Sequence, residues 1–483
     1  MRTFFLNRNN YRILVLILVI TGILGYAIVK QNYMLMLLLV SLASVFLILR
    51  SNVLACSILL GILFFGNWVE RVGLLPPQVN WGTEIIIVLL FAKAILYKLF
   101  RKEKVQVNYI MVVLFYLGVT AVSYLMSSVS TIHLILFLRL MLRFYLLFIA
   151  IINLDFNQRS IKLICNFIVF LFLIQIPTAV VKMFIFGQGE SAIGTYASQG
   201  GIYSTVIPML AISYLIAFYF FYRPSTWYIV LVFAFIAFGL IGGKRAVIFF
   251  VPVLVLFLGI FLQRKSRNII KYAVICLIFV IITAYASMRF IPSLNPQGRV
   301  GGEVDIGHVI DFISGYTMRI HSDGESAGRM ATTIQVFNIL SKRGFGTFLF
   351  GLGPGSYIQT RFESIGQTLK EKGDLPIHYG ESGLSWLALQ TGYIGAFIYL
   401  SLFYFILLEC NAYYRQEKRQ YWKSLGFGTL GFSFTILFIS LVYHPVYNQD
   451  LVPAVYFMLA GFVMKLKMNK GLTESEIHRE KDD

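Results

Sequence analysis

Residues Trp227 to Leu262 read WYIVLVFAFIAFGLIGGKRAVIFFVPVLVLFLGIFL, a nearly unbroken apolar stretch. As one α-helix it would run about 54 Å, against a bilayer hydrocarbon core of ~30 Å. The stretch must fold back on itself, and Gly242-Gly243-Lys244-Arg245 is the only break available. The same reading extends in both directions. The chain has 483 residues, of which 58% are hydrophobic and 13% charged, about half the charge of an ordinary soluble domain. That excludes a soluble enzyme and predicts an all-α polytopic membrane protein.

Counting apolar blocks near the length of a span gives about fourteen transmembrane helices in one bundle: Arg12–Val29, Tyr33–Leu49, Asn52–Trp68, Thr83–Tyr97, Val107–Met126, Ile132–Leu154, Leu163–Ile185, Ile202–Phe221, Trp227–Ile241, Ala246–Leu262, Ile269–Ser287, Ser382–Leu408, Leu425–Tyr443 and Val452–Met464. Eleven fall within 1–287 and three within 381–466. Residues 288–380 form one large, partly helical loop with two amphipathic stretches, His308–Ile320 and Arg329–Leu340, whose apolar residues recur at three- and four-residue spacing, and 467–483 form a polar tail. The basic start, MRTFFLNRNNYR, precedes an apolar run longer than a signal peptide's core, so it is read as a retained first helix.

Lys and Arg number 41 against 22 Asp and Glu, a net charge of +19. The cations cluster in short connections: Lys98/Arg101/Lys102/Lys104, Arg159/Lys162, Arg223, Arg264/Lys265/Arg267/Lys271, Arg415/Lys418/Arg419/Lys423 and Lys465/Lys467/Lys470. This phasing follows the positive-inside rule with both termini cytoplasmic, makes membrane lipids the partner of the charge, and argues against nucleic acid. Cys56, Cys165, Cys276 and Cys410 all fall in or beside apolar spans, so no disulfide framework is expected.

The cations that break the phasing carry the functional expectation. Arg139 and Arg143 lie four apart on one helical face inside a span. Charges there must be paired or face a wet cavity, and because the spans hold few acids, an exogenous anion is favoured over a structural ion pair. Lys182, Lys244, Arg245 and Arg329 fall on the outer side, where the alternative is snorkelling or solvation. Gly351-Leu-Gly-Pro-Gly-Ser356, with Gly353 and Gly355, lacks the Gly-Lys-Ser/Thr ending of a phosphate loop and reads as a positioning turn. His378 and Glu381 stand at the mouth of a long span, and either could act as a general base. Asp323 and Glu325 are the one acidic pair of the loop suggestive of a metal, but no cluster of His and Cys stands beside them, so no metal or other cofactor is expected.

Several of these motifs, in order, resemble the bacterial O-antigen polymerase and O-antigen ligase superfamily. Gly194-Thr-Tyr resembles a Gly-Thr-Phe element of that family. Gly243-Lys-Arg-Ala246 resembles Ser-Arg-Gly-Ala. Gly328-Arg329, followed by Leu349-Phe-Gly-Leu-Gly-Pro-Gly355, resembles a Gly-Arg helix and Gly-x-Gly-Pro-Gly turn. Glu381-Ser-Gly-Leu-Ser-Trp-Leu-Ala-Leu-Gln-Thr-Gly392-Tyr-Ile-Gly395 resembles the segment after the catalytic loop. The likeness runs from about Lys182 to Leu400. It departs at Lys244, in place of serine, and at Glu381, where ligases carry a histidine, which favours a repeat-unit polymerase over a ligase.

The resemblance implies transfer of a growing glycan between undecaprenyl-pyrophosphate carriers at the outer face of the bacterial cytoplasmic membrane, with a possible chain-length regulator as partner. Arg245 and Arg329 would hold the pyrophosphate, and Glu381, or His378, would deprotonate the acceptor. Arg139, Arg143, Lys182 and Lys244 would be further anion contacts, and Tyr357, Tyr379 and Trp386 sugar-stacking surfaces. The rival from another class is a lipid-linked oligosaccharide flippase, which should show internal repeats and broken midplane helices.

Overall fold

In a computed structural model the residues described are 45, 50–71, 73, 81–187, 189, 192–195, 202–243, 246–262, 278, 281, 285, 288–289, 294–299, 301–318, 328–356 and 382–482. They are helical almost throughout. In chain order the helices are α1 (Asn52–Arg71), α2 (Trp81–Phe100), α3 (Ile110–Leu125), α4 (Thr131–Asn153), α5 (Gln158–Leu173), α6 (Gln175–Phe186), α7 (Tyr203–Phe221), α8 (Thr226–Ile241), α9 (Ala246–Leu262), α10 (Ile306–Met318), α11 (Arg329–Lys342), α12 (Phe345–Phe350), α13 (Gly383–Gln416), α14 (Gln420–Val442) and α15 (Leu451–Asp482). Among the described residues, 7 helices are long and apolar enough to cross a membrane, α5 and α6 counting as one, and three shorter apolar helices accompany them. The charged α2 falls outside both groups. The expected spans Arg12–Val29, Tyr33–Leu49 and Ile269–Ser287 lie wholly or almost wholly outside the described residues.

The fold-back predicted at Gly242 is present: α8 ends at Ile241 and α9 begins at Ala246. Gly243 takes a φ of 70°, a conformation open to a residue without Cβ. The core is built on the last helices, the apolar part of α15 within Leu451–Asn469 and the length of α14 being mostly buried. Helix α14 is also polar inside. Ser424, Thr429, Ser433 and Thr435 are buried, and each hydroxyl donates to a carbonyl four residues back; Thr429 Oγ1 also lies 2.9 Å from Tyr214 OH on α7 and Ser433 Oγ 3.1 Å from Tyr456 OH on α15. Gly428 lies against Tyr214 and Gly431 against Ser213 on α7, the close approach that small residues give to helices in lipid.

Two predicted spans are broken. The span expected over Leu163–Ile185 divides at Ile174 into α5 and α6. Gln175 occupies the break, and its Oε1 accepts from Thr195 N at 2.8 Å and Thr195 Oγ1 at 3.1 Å. Helix α13 is interrupted at Gly392, with φ 68° and ψ 177°. The turn after α12 fills that interruption. Leu352 N donates to Leu389 O at 2.7 Å, and Ser123 Oγ donates to Gln390 O at 2.9 Å. Carbonyls freed by the break are thus re-paired inside protein, as a membrane interior demands.

The charges sort the bundle into two ends. At one, Asn153 Oδ1 accepts from Gln106 N at 2.8 Å, and Lys465 Nζ donates to Ile152 O at 3.2 Å and Leu154 O at 2.5 Å. Lys162 stands 5.1 Å over Tyr421 and Lys423 5.2 Å over Phe221, while Lys98 pairs with Glu103 at 2.5 Å. This cation-rich end gathers the described clusters that the sequence phasing puts on one side.

Candidate functional site

The opposite end is organised by the short connector from Tyr443 to Asp450, between α14 and α15. Its sequence, YHPVYNQD, is polar between two apolar helices. Pro445 and a 3₁₀ turn over Val446–Asn448 hold it compact. Tyr447 is buried, and its hydroxyl donates to Gly383 O at 2.5 Å, which ties the connector to the start of α13. Gln449 Oε1 accepts from Tyr203 OH on α7 at 3.3 Å, and Gln449 Nε2 lies 3.3 Å from His444 Nε2.

Arg329, at the first position of α11, is seated on this connector. Its Nε donates to Tyr443 O at 2.8 Å, and its guanidinium carbon lies 3.6 Å from the Tyr443 ring centroid. One bond and one stacked face fix both the position and the plane of the guanidinium. One turn along α11, Thr333 Oγ1 lies 3.4 Å from Ser382 Oγ, and Ser385 Oγ, within 2.8 Å of Ser382 Oγ, donates to Thr333 Oγ1 at 3.0 Å. Ser382 is the N-cap of α13, accepting from Ser385 N at 3.1 Å. These three hydroxyls bind the residue immediately after Glu381 to the helix that begins with Arg329.

Arg139 and Arg143 require a correction. The sequence favoured an exogenous anion for want of acids, yet both arginines have protein carboxylates. Glu84, in the first turn of α2, accepts from Arg139 Nε and Nη2 at 2.7 Å each and from Arg143 Nη1 at 3.1 Å. Arg143 Nη2 donates to Asp450 of the connector. Two cations meet two anions, a neutral network whose members come from α2, α4 and the connector. The partners are 55 and 307 positions away in sequence, a pairing that linear spacing cannot show. Nε of Arg143 is buried without a hydrogen-bond partner among the described residues.

Trp386 is also placed differently from the expectation. Its side chain is buried and packs on Phe137 at 6.0 Å and Tyr447 at 5.8 Å between ring centroids. A ring enclosed on α13 by α4 and the connector offers no open face to a sugar. Gly353 and Gly355 do form a positioning turn. A Cβ at Gly353 would sit 2.4 Å from Ser127 Oγ and one at Gly355 2.5 Å from His133 O, so both glycines exist for close approach to the α3–α4 connection. Gly355 N donates to Gln390 Oε1 at 2.9 Å, at the break in α13.

Gly189, five residues before Gly194, donates its N–H to Ile241 O at the end of α8 at 3.0 Å, while Thr195 Oγ1 donates to Phe64 O of α1 at 2.6 Å. Lys182 is half-buried on α6. Lys244, Arg245, Asp323, Glu325, Tyr357, His378, Tyr379 and Glu381 lie outside the described residues. Among the described residues no group of three or more His, Cys, Asp and Glu is gathered for a metal ion.

Sequence reasoning missed Glu84, His444, Gln449 and Asp450. The available signal was polarity in an apolar setting: Glu84 stands in the first turn of a helix whose following run is apolar, and HPVYNQD interrupts two core helices. In a membrane such groups are costly and must find partners.

The architecture is that of a multi-pass α-helical membrane protein. No family model and no curated protein matches the sequence.

Proposed function

We propose that the protein is a membrane-embedded glycosyltransferase that polymerises undecaprenyl-pyrophosphate-linked oligosaccharide repeat units, acting at the face opposite its cation-rich end. One observation carries the reading: the Ser382–Thr333–Ser385 hydroxyl cluster joins the start of α13 to α11 one turn from Arg329. Two segments separated by about fifty residues, each singled out for a different part of one reaction, therefore meet. In this reading Arg329 is a preorganised donor to the departing pyrophosphate, its plane fixed by Tyr443. Donors held in place before reaction need no reorganisation as charge develops. Glu381, with His378 as the alternate, takes the proton of the acceptor hydroxyl, and Arg245 is the second pyrophosphate contact. The cation-rich end faces the cytoplasm, with the termini.

The flippase reading draws on the break in α13. Transporter breaks line cavities at the midplane, whereas here the turn at Gly351–Gly353 packs into the break, a Cβ at Gly351 lying 2.5 Å from Gly392 N. Among the described residues this interruption is filled by packing.

The test incubates purified protein with a lipid-linked repeat unit and resolves the products on a gel. A ladder of glycan lengths is expected from the parent and none from Arg329→Ala at equal abundance. Absence of a ladder together with transbilayer movement of the lipid-linked unit in vesicles would replace the polymerase with a flippase.

A further inference from the structure

At the cation-rich end, α5, α7, α8 and α14 enclose a cleft of about 400 Å³ that the proposed chemistry does not use. Its size falls in the range of ligand pockets, roughly 300–1,000 Å³. The lining changes character with depth. At the mouth stand Lys162, Asn166, Tyr222, Tyr228 and Tyr421. Deeper, the walls are Ile168, Phe172, Ala211, Leu231, Phe235 and Leu459. Phe218 joins the mouth into one aromatic cluster, with ring centroids 5.7 Å from Tyr222, 6.5 Å from Tyr228 and 5.5 Å from Tyr421. From Lys162 to Phe172 the cleft follows α5 for ten residues, about 15 Å, which is half of a ~30 Å core and so the depth of one leaflet.

Charge identifies the occupant. Lys162 lies over the Tyr421 ring at 5.1 Å and Lys423 over Phe221 at 5.2 Å. Arg223 follows Tyr222 and is exposed, as is Arg159 one turn before Lys162. No acidic residue is among the lining. An apolar chamber about one leaflet deep, with tyrosines at the interface level and cations beside them, matches a phospholipid with an anionic head. We propose that this cleft binds one anionic phospholipid of the leaflet at the cation-rich end, its acyl chain inserted toward Ala211 and Phe235 and its phosphate between Lys162 and Lys423. The proposal stands independently of the glycosyltransferase reading.

Native mass spectrometry of the full-length protein in detergent tests it, with phosphatidylglycerol and phosphatidylcholine of identical acyl chains as probes. Phosphatidylglycerol should be retained preferentially. Lys162→Gln and Lys423→Gln should each weaken that retention by about fivefold while leaving phosphatidylcholine unchanged, and Ala211→Phe, which fills the chamber, should remove the bound lipid. Lys162 lines the mouth and Lys423 stands two residues after the mouth's Tyr421, so their variants keep the test intact if Ala211→Phe fails to fold. Equal retention of the two lipids, or phosphatidylglycerol retention unchanged in the Lys162→Gln/Lys423→Gln double variant, would overturn the proposal. Loss of lysine dependence with a folded Ala211→Phe protein that still holds lipid would do the same.

Discussion

Replacing Glu84 by Gln isolates the network that joins α2, α4 and the α14–α15 connector. Glu84 accepts two bonds from Arg139 and one from Arg143. The Arg139 side chain is 48% exposed, so its pair is screened and contributes about 0.5–1 kcal/mol. Arg143 is 12% exposed against 23% for Glu84, and a charge-assisted bond there contributes about 1.5–3 kcal/mol. The total, about 2–4 kcal/mol, corresponds to a fall in Tm of roughly 4–8 °C at the lower end of the size-dependent scale. Fluorescence-detected size-exclusion of heated, detergent-solubilised protein measures it. The decisive comparison is a double-mutant cycle with Arg143→Met. Once Glu84 is neutral, Asp450 is the one carboxylate that Arg143 still meets among the described residues, and removing the arginine should recover about 1–2 kcal/mol relative to the sum of the single variants. Strict additivity, within about 0.5 kcal/mol, would mean that the arginines do not depend on Glu84. The exogenous-anion role would then return.

The other predictions concern separate links of the argument. Arg329→Lys should restore little of the activity lost in Arg329→Ala, about 10²–10³ in rate by analogy with one oxyanion donor, since an ammonium cannot both donate to Tyr443 O and stack on its ring; polymer assays in membranes read both. Gly392→Ala should prevent stable accumulation, because its Cβ would lie 1.9 Å from Leu349 O at a φ of 68°, whereas Gly118→Ala, with nothing within 4 Å, should accumulate like the parent; immunoblots of membranes compare the two. A cysteine at Ser314, exposed on α10, should react with an impermeant maleimide in intact cells and one at Lys418 should not, with the reverse pattern inverting the assigned orientation. A hydrogen bond from Lys98 holds the Glu103 carboxyl below its ordinary pKa. Its contribution is therefore present above the unfolded value of about 4.3 and fades as pH falls through the folded one. The Tm difference between parent and Glu103→Gln should accordingly shrink on acidification.

The sequence by itself determined the class of the molecule and much of its layout. Apolar blocks of bilayer length can only be membrane helices, and the Gly242-Gly243 break in an over-long block forced a hairpin that the structure contains. Among the described residues the clusters around Lys98, Lys162, Lys423 and Lys465 gather at one end, the sorting that local charge density suggests. Amphipathic spacing marked α10 and α11 within two residues of their ends. Some of the candidate site was legible for the same local reason: the tight turn at Gly353 and Gly355 is a property of consecutive glycines, and Arg329 stood out as a cation on an unexpected side.

Tertiary structure decided what each of those residues touches. Glu84 and Asp450 reach Arg139 and Arg143 only because α2, α4 and the connector converge, and pairing between charges depends on distance in space. Trp386 became a core ring because Phe137 and Tyr447 close over it, which no spacing within α13 encodes. The break at Gly392 was invisible because a helix of apolar residues reads as continuous until another backbone, here Leu349 to Leu352, competes for its carbonyls. Whether a polar group in a membrane protein is partnered or exposed is set by the neighbouring helix that covers it, and the order of residues along its own helix leaves that neighbour unspecified.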